Sequence, residues 1–579
     1  MGKILRVNMA DLTTKFEDMP DRYKHMGGRW LTSSIVADEV DPTCHPLGPH
    51  NKLVLAPGII TGTAASTSAR LSVGGKSPLT GGIKESNVGA KFSPKLAKLG
   101  VSAIVVEGQP PAGKWYTLVI DQAGAGLVSA DDLAGSGAYA TTEALVKRHG
   151  SVGVCCIGPA GEMRLAMAGI AFNDLKDRAS RYAGRGGLGA VMGARGLKAI
   201  VVDDRDAPPM AVANQALFDQ GRRKLREALA THAITKPKGA LNTYGTAVLI
   251  NIMNEAGGLP TRNFASGRFA QAGAVAGEAI FEGTKKRLGK EVYNHACSPG
   301  CTIQCSNTWY GADGKEIVSC LEYETAWAFG PNCEIGDLDT LGQLTWLCND
   351  IGIDTIEAGG TIAVAMEAGV IPFGDGPGAV KLLGEIGEGS PLGRVLGSGA
   401  AVTGKVFGVA RVPEVKGQNM PAYDPRAVKG IGVTYATSTM GADHTAGYTI
   451  APEILSVGGK EDPLSVEKKA ELSRNFQATT AFIDSTGHCL FIAFAILDIA
   501  SGFEGMVEEC NGLLGSDWTT DDVLRIGKEI LSRERAFNGV AGLSQAHDRI
   551  PEFMKYEPLP PHNVVWDVPD VMLDSVHNY

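Results

Sequence analysis

Three cysteines, Cys297, Cys301 and Cys305, stand at C-x3-C-x3-C spacing in one short string, HACSPGCTIQCS. Thiolates this close together in a loop can converge on a soft metal or an iron–sulfur cluster. Steps of four also mark one face of a helix, but Pro299 and Gly300 interrupt the string and oppose an unbroken helix. Three thiolates leave a four-coordinate site one ligand short, and Cys489, in IDSTGHCLF, is the candidate for the fourth. A structural zinc site would draw on the same ligand types. The chain has 11 cysteines at uneven spacing, which speaks against a disulfide framework and for metal ligation or simple burial.

A second kind of chemistry is suggested by the run Ser180-Arg181-Tyr182-Ala183-Gly184-Arg185-Gly186-Gly187-Leu188-Gly189. Glycine-rich backbone can turn its amides onto phosphate oxygens, and interleaved arginines can bind them in pairs of hydrogen bonds. The run lacks the Lys-Ser/Thr ending of a nucleoside-triphosphate loop. By itself it also reads as a tight turn before a packed helix. A further Gly-rich stretch, Lys76 to Gly82, leads into Asn87 and Gly89, with Arg70 just ahead of it. The chain has 75 glycines, where average usage would give roughly 40, so backbone turns tightly or approaches something closely at many places.

These residues need a scaffold. With 579 residues the chain should form two or three domains. Residues 1 to about 205 read as strands joined by Gly-rich turns: the start through Asn8, then Leu53–Ala56, Ala103–Glu107, Tyr116–Ile120, Gly153–Ile157 and Ala199–Val202. Asp206-Ala207-Pro208-Pro209 resembles a linker, and helical signals dominate beyond it. Thr355–Gly369 reads as a buried helix with Asp354 as N-cap. Thr519–Phe537 reads as a helix opened by a Thr519/Asp522 capping box. No internal repeat is visible. The expected fold class is α+β: a β-rich N-terminal domain, 1–205, then two mainly α-helical domains, 206–410 and 411–579.

Net charge is −9, which weighs against a nucleic-acid surface. No stretch approaches the roughly 18 uninterrupted apolar residues of a membrane helix, and the N-terminus lacks a secretory pattern, so the expectation is a cytoplasmic enzyme.

The strings KSPLTG, AGRGGLGAVMG followed by LKAI, LEYETAWAFG, IGIDTIEAGGT, PAYDPR and IDSTGHCLF occur in this order. Together they resemble the tungsten-containing aldehyde:ferredoxin oxidoreductase family over residues 3 to about 555. The resemblance implies a tungsten or molybdenum ion between two pterins whose phosphates are bridged by magnesium, and a nearby [4Fe–4S] cluster. The implied reaction turns a small aldehyde and water into a carboxylate, with electrons passing to ferredoxin or an iron–sulfur partner subunit. A homo-oligomer is also compatible with the family.

Carried over motif by motif, Arg70, Asn87, Gly89, Arg181, Tyr182, Gly184 and Arg185 would lie against the pterin phosphates. Asp354 and Asp484 would accept from the amino-pyrimidine ends, and Asn349, His488 and Leu490 complete the cofactor-binding set. Cys297, Cys301, Cys305 and Cys489 would hold the cluster, while Glu322 and His444 would be the ionisable pair beside the metal.

Some positions depart from the family pattern. The first cysteine gap is one residue longer, Asn349 replaces an Asp, and His488 replaces an apolar residue. Ala446 stands where a lysine occurs, and Gln343 replaces a glutamate that can bind a subunit-bridging iron. Cys320, two residues before Glu322, keeps open an alternative: the catalytic subunit of a related tungsten enzyme such as a benzoyl-CoA reductase-like complex. A rival of another class is a zinc-stapled binding protein without pterin.

Overall fold

The computed structural model describes residues 2–579. Strands β1 (Lys3–Asn8), β2 (Thr13–Asp18), β3 (Leu53–Pro57), β4 (Arg70–Lys76), β5 (Ile83–Gly89) and β6 (Val101–Glu107) form one sheet, in the order β2-β1-β6-β3-β4-β5. Strands β7 (Tyr116–Asp121), β8 (Gly124–Ser129), β9 (Gly153–Cys156), β10 (Ile170–Asn173), β11 (Ala179–Ala183) and β12 (Leu197–Val202) form a second, in the order β11-β10-β9-β12-β7-β8. Read from its other edge, the second order repeats the first. The parallel pairs correspond too, β1 with β6 and β7 with β12, and every other pairing is antiparallel. The β-rich half is therefore a structural duplication, which the sequence reading did not detect. The repeat lies in pairing order, which many different apolar strings satisfy.

The central strands explain themselves. VSAIVVE in β6 and LKAIVV in β12 are β-branched and buried, as strands covered on both faces must be. At the edge, β2 is TTKFED and mostly solvated, with Lys15 and Glu17 discouraging further pairing. The sheets share one core in which Leu55 and Ile104 of the first join Leu118 and Ile200 of the second. Phe92 and Phe172 meet edge to face in it, with ring centroids 5.4 Å apart. Each such large apolar side chain contributes about 1.5–3 kcal/mol by leaving water.

Between Val202 and Gln215 there is no regular element, and the helical part begins with Gln215–Thr231. Its core is continuous from Leu225 to Val576. The β-rich half followed by a helical half matches the expected class. Asp354 caps the helix Thr355–Glu367 by accepting from the amides of Ile356 and Glu357. The capping box at Thr519 and Asp522 opens Thr520–Val540. Pro377 sits in the first turn of a helix, Gly376–Glu388, where its missing N–H costs no hydrogen bond. No helix among the described residues is long and apolar enough to cross a membrane.

Candidate cofactor and cluster site

A cavity of about 220 Å³ opens where the two sheets meet the helical half. Arg70 and Gly89 reach it from paired positions on β4 and β5, and Ser180, Arg181 and Tyr182 reach it from β11. Gly184, Asn349 and Asp354 line it as well, together with Cys297, Cys320 and Glu322. The structure thus brings most of the expected pterin residues to one place, and puts one expected cluster cysteine in the same wall. Asn87 lies two residues before Gly89 on β5, with its amide toward Ser72 and Glu85 at 3.4 and 3.5 Å.

The electrostatics of the cavity point to an anion. Arg181 is buried, its Nη1 lies 3.6 Å from Glu322, and its Nε and Nη2 have no partner. A buried guanidinium with free N–H groups is a site for phosphate or carboxylate oxygens. At Gly184 the backbone faces the cavity without a side chain, and a Cβ there would touch Asp354 and Tyr182 at 3.8 Å.

The cysteines gather around Arg70. Its Nη2 donates to Cys489 Sγ at 2.9 Å, and Cys297 and Cys305 also act on its charge. The Cys301 thiol bonds to Cys297. That bond, with Arg181 and Arg70 nearby, holds Cys297 well below the usual thiol range against the opposing effect of burial. Burial and neighbouring thiols push Cys305 up. Residues 296–305 form a loop, not a helix stripe, and paired backbone bonds between His295 and Ser306 close its neck. Among the described residues no three His, Cys, Asp or Glu side chains converge at single-ion distance.

Thr67 ties the two cysteine segments together. Its N–H donates to Gly300 O at 3.0 Å, its carbonyl accepts from Cys489 N at 2.9 Å, and its hydroxyl accepts from Thr302 N at 3.2 Å. The Asp484–Cys489 turn is also stitched to the first sheet, because Ile59 and Ile60 donate to the carbonyls of Ser485 and Thr486, and Arg70 N donates to Gly487 O. This contact needs glycine on both sides. A Cβ on Gly58 would lie 2.1 Å from Gly487 Cα, and Gly487 itself has φ +94°.

The expected anion ligands divide by environment. Arg185 is fully used inside the protein: Nε donates to Asp354 at 3.2 Å, Nη1 to Ala442 O and Nη2 to Asn419 O, both at 2.6 Å. It therefore clamps the sheet half to the helical half, whereas Arg181 keeps donors free. Tyr182 donates its hydroxyl to Asn349 O, and the Asn349 amide donates to Tyr139. Asp484 lies 3.4 Å from Arg29, which is gripped more tightly by Glu534 at 2.9 and 3.0 Å. Burial, with Glu85 nearby, pushes the Asp484 carboxyl well above its usual range.

The expected ionisable pair is not in mutual contact. Glu322 accepts from Thr246 at 2.7 Å and Ser306 at 3.1 Å. His444 meets a different carboxylate, with Nε2 3.3 Å from Glu324 Oε1. The reason is local. Glu322 is the extended N-cap residue of the helix Tyr323–Phe329, whereas Glu324 sits in its first turn and turns inward. Burial pushes Glu324 up to about 8 and His444 down to about 4. Tyr423 and Tyr448 wall His444 in, with ring centroids 5.9 and 6.2 Å away.

Three other positions fall elsewhere. His488 faces away from the cavity and bonds to Glu509. Leu490 lines a separate apolar cavity of about 330 Å³ with Tyr448 and Phe494. Gln343 is exposed on the helix Leu338–Ile351. Cys320 does face the cavity. Its thiol donates to Ser180 O at 3.0 Å, and burial pushes it up to about 12. Sequence reasoning missed Thr67, Arg29 and Glu324. Only Glu324 left a signal, as the second glutamate of LEYET.

Two duplicated sheets under a helical cover, with an arginine-lined cavity beside gathered cysteines, define a known architecture. The active-site complex BamBC of benzoyl coenzyme A reductase, solved with 1,5-dienoyl-CoA, shares this fold at TM-score 0.80 and 18% identity, covering 100% of this chain and 93% of that one. The family is defined by sequence. Residues 4–204 match the aldehyde ferredoxin oxidoreductase N-terminal domain, and residues 220–578 match domains 2 and 3 of the same family. The tungsten-containing aldehyde ferredoxin oxidoreductases of Pyrococcus furiosus and Thermococcus kodakarensis are each 37% identical, over 96% of this chain and 92% of theirs. The aliphatic sulfonate oxidoreductase WOR-like subunit of Pyrococcus furiosus is 25% identical over 96% of this chain and 90% of its own length. The chain belongs to the aldehyde ferredoxin oxidoreductase family and is an oxidoreductase.

Proposed function

We propose that the protein oxidises an aldehyde with water to a carboxylate at a tungsten or molybdenum centre held by two pterins. Two electrons then pass through a [4Fe–4S] cluster to ferredoxin or an iron–sulfur partner subunit. The observation that carries this reading is the shared wall: Arg181, with free buried donors, and Cys297 line one cavity, and Arg70 joins that cavity to Cys489.

The residues present fit these groups. Arg181 and Arg70 supply cations for pterin phosphates, Gly89 and Gly184 keep the backbone close, and Asp354 and Asp484 offer acceptors to donor-rich ring edges. Magnesium would accompany the phosphates held by Arg70 and Arg181. Cys297, Cys301, Cys305 and Cys489 would hold the cluster. A cubane binds each thiolate to a different iron, so its ligands need not meet at one point. When bound, the metal centre supplies the two-electron redox chemistry.

The chain's own residues handle protons and orientation. We assign the proton-handling role to Glu324 with His444, moving the base role from Glu322. His444 stays neutral at physiological pH. Glu324 Oε2 already accepts from Ala422 N at 3.0 Å, while Oε1 has no hydrogen-bond partner. With the His444 proton on Nδ1, Nε2 presents a lone pair to Oε1, which can bond to the ring only by taking up a proton. Ionised Glu324 thus accepts a proton from the attacking water, and the acid so formed donates to Nε2. Nδ1–H has no hydrogen-bond partner among the described residues, with Asp443 Oδ1 3.9 Å away, and is free to donate to the carbonyl oxygen. Glu322 steadies Arg181. The ring-reductase reading built on a Cys320 ligand has less support, since the aldehyde oxidoreductases are 37% identical to this chain and the benzoyl coenzyme A reductase complex 18%.

Anaerobic purification with counts of tungsten, molybdenum, iron and zinc per chain tests the assignment. Tungsten or molybdenum with about four irons is expected; zinc alone would overturn it.

A further inference from the structure

We infer that His488 and Glu509 form a buried strut that positions Cys489 and tunes the iron–sulfur cluster, an inference that rests on the cluster assignment above. Both side chains are 0% exposed. His488 Nε2 lies 2.8 Å from Glu509 Oε2, and Nδ1 lies 2.9 Å from Thr486 Oγ1. That hydroxyl already donates to Ile483 O and accepts from His488 N. The turn from Thr486 to Cys489 is thereby bonded on itself and then to Glu509.

Glu509 offers a fixed anchor. It sits on the helix Ala500–Leu514, which meets Gln215–Thr231 backbone to backbone: a Cβ on Gly221 would lie 2.6 Å from Gly505 O, and one on Gly512 would lie 2.5 Å from Phe218 N. Neither helix can move closer to the other without a clash. On its other side, Cys489 N is held by Thr67 O. The cysteine is thus fixed between the strut and Thr67.

Among the described residues no other basic group bonds to Glu509, whose Oε1 has no hydrogen-bond partner. Losing His488 alone strands a buried carboxylate behind Cys489, and breaking one side of a buried pair is far costlier than replacing both partners by apolar groups. A polar pair at this place therefore acts as a unit. His488 is a positioning residue, since it touches the ligand's turn and not the reacting atoms.

The test compares His488→Leu, His488→Gln, Glu509→Gln and the double variant His488→Leu/Glu509→Leu in anaerobically purified holoenzyme. The readouts are iron per chain, the electron paramagnetic resonance spectrum of the reduced cluster, and its midpoint potential. His488→Leu should lose at least half of its iron, with an altered spectrum and a lowered potential in the fraction that keeps a cluster. Glu509→Gln should raise the potential, His488→Gln should keep more iron than His488→Leu, and the double variant should recover iron relative to His488→Leu. If His488→Leu does not fold, Glu509→Gln and the double variant decide the matter. Wild-type iron, spectrum and potential in the variants that fold would overturn the strut alone. A wild-type protein with no cluster signal would overturn the cluster assignment, and the strut with it.

Discussion

His444 Nε2 stands 3.3 Å from Glu324 Oε1, in a pocket where burial pushes the carboxyl up to about 8 and the imidazole down to about 4. The proton of this pair therefore rests on the carboxyl at neutral pH. The ionised base becomes more abundant as pH rises through about 8, so aldehyde oxidation should rise over that interval and level off above it. A rate that falls across the same interval, in enzyme whose metal content is constant, would contradict the assignment.

Replacing the base should be costly. General-base catalysis is worth about 10²–10⁴-fold, and Glu324→Gln should lose turnover in that range while keeping metal, pterin and iron. Glu322→Gln keeps one acceptor oxygen for Thr246 or Ser306 and can donate its amide to the other hydroxyl, so its loss should be smaller. Parallel kcat measurements on the two metal-replete variants decide between them. A larger loss in Glu322→Gln would return the base role to that residue.

The two arginines of the Gly-rich run should behave differently. Arg181→Ala removes free donors from the cavity and should lower pterin content without a large change in melting temperature. Arg185→Ala breaks bonds to Asp354, Asn419 and Ala442 and leaves the buried Asp354 carboxylate with its two backbone amides but no cation, costing up to about 3–5 kcal/mol of stability. Thermal unfolding and fluorimetry of released pterin separate the effects. Equal melting temperatures in the two variants would count against the clamp.

Cys301→Ala should remove most of the iron, because a cubane takes four thiolates and Cys301 also bonds to Cys297. Full iron retention would exclude Cys301 as a ligand.

Much of this site could be read in the chain before its fold. Asp354 announced itself as a cap, Pro299 and Gly300 marked the cysteine string as a loop, and arginines within glycines pointed to an anion cradle. What stayed hidden depends on three-dimensional context. Glu322 and Glu324 are equivalent as letters, and only the start of a helix between them sends one to Thr246 and the other to His444. Thr67 joins two cysteine segments far apart in sequence through backbone groups, which any residue possesses. Nothing in the sequence around Arg29 marks it, and only folding sets it between Asp484 and Glu534. The strands β2, β4, β5, β8, β10 and β11 were missed: β2 and β8 are polar or Gly-rich edges, β4 and β5 mix glycine, serine and charge into their apolar residues, and β10 and β11 are only 4 and 5 residues long. The duplication of the sheets was missed because topology can repeat without repeating residues.

The central claim is aldehyde oxidation, and one measurement addresses it most directly. Anaerobically purified protein, with its tungsten, molybdenum and iron counted, is mixed with a viologen dye and a panel of aliphatic and aromatic aldehydes. The account predicts aldehyde-dependent dye reduction, one carboxylate formed for every two electrons delivered, and loss of that activity in Glu324→Gln. Metal-replete wild-type protein that reduces no dye with any aldehyde would contradict it.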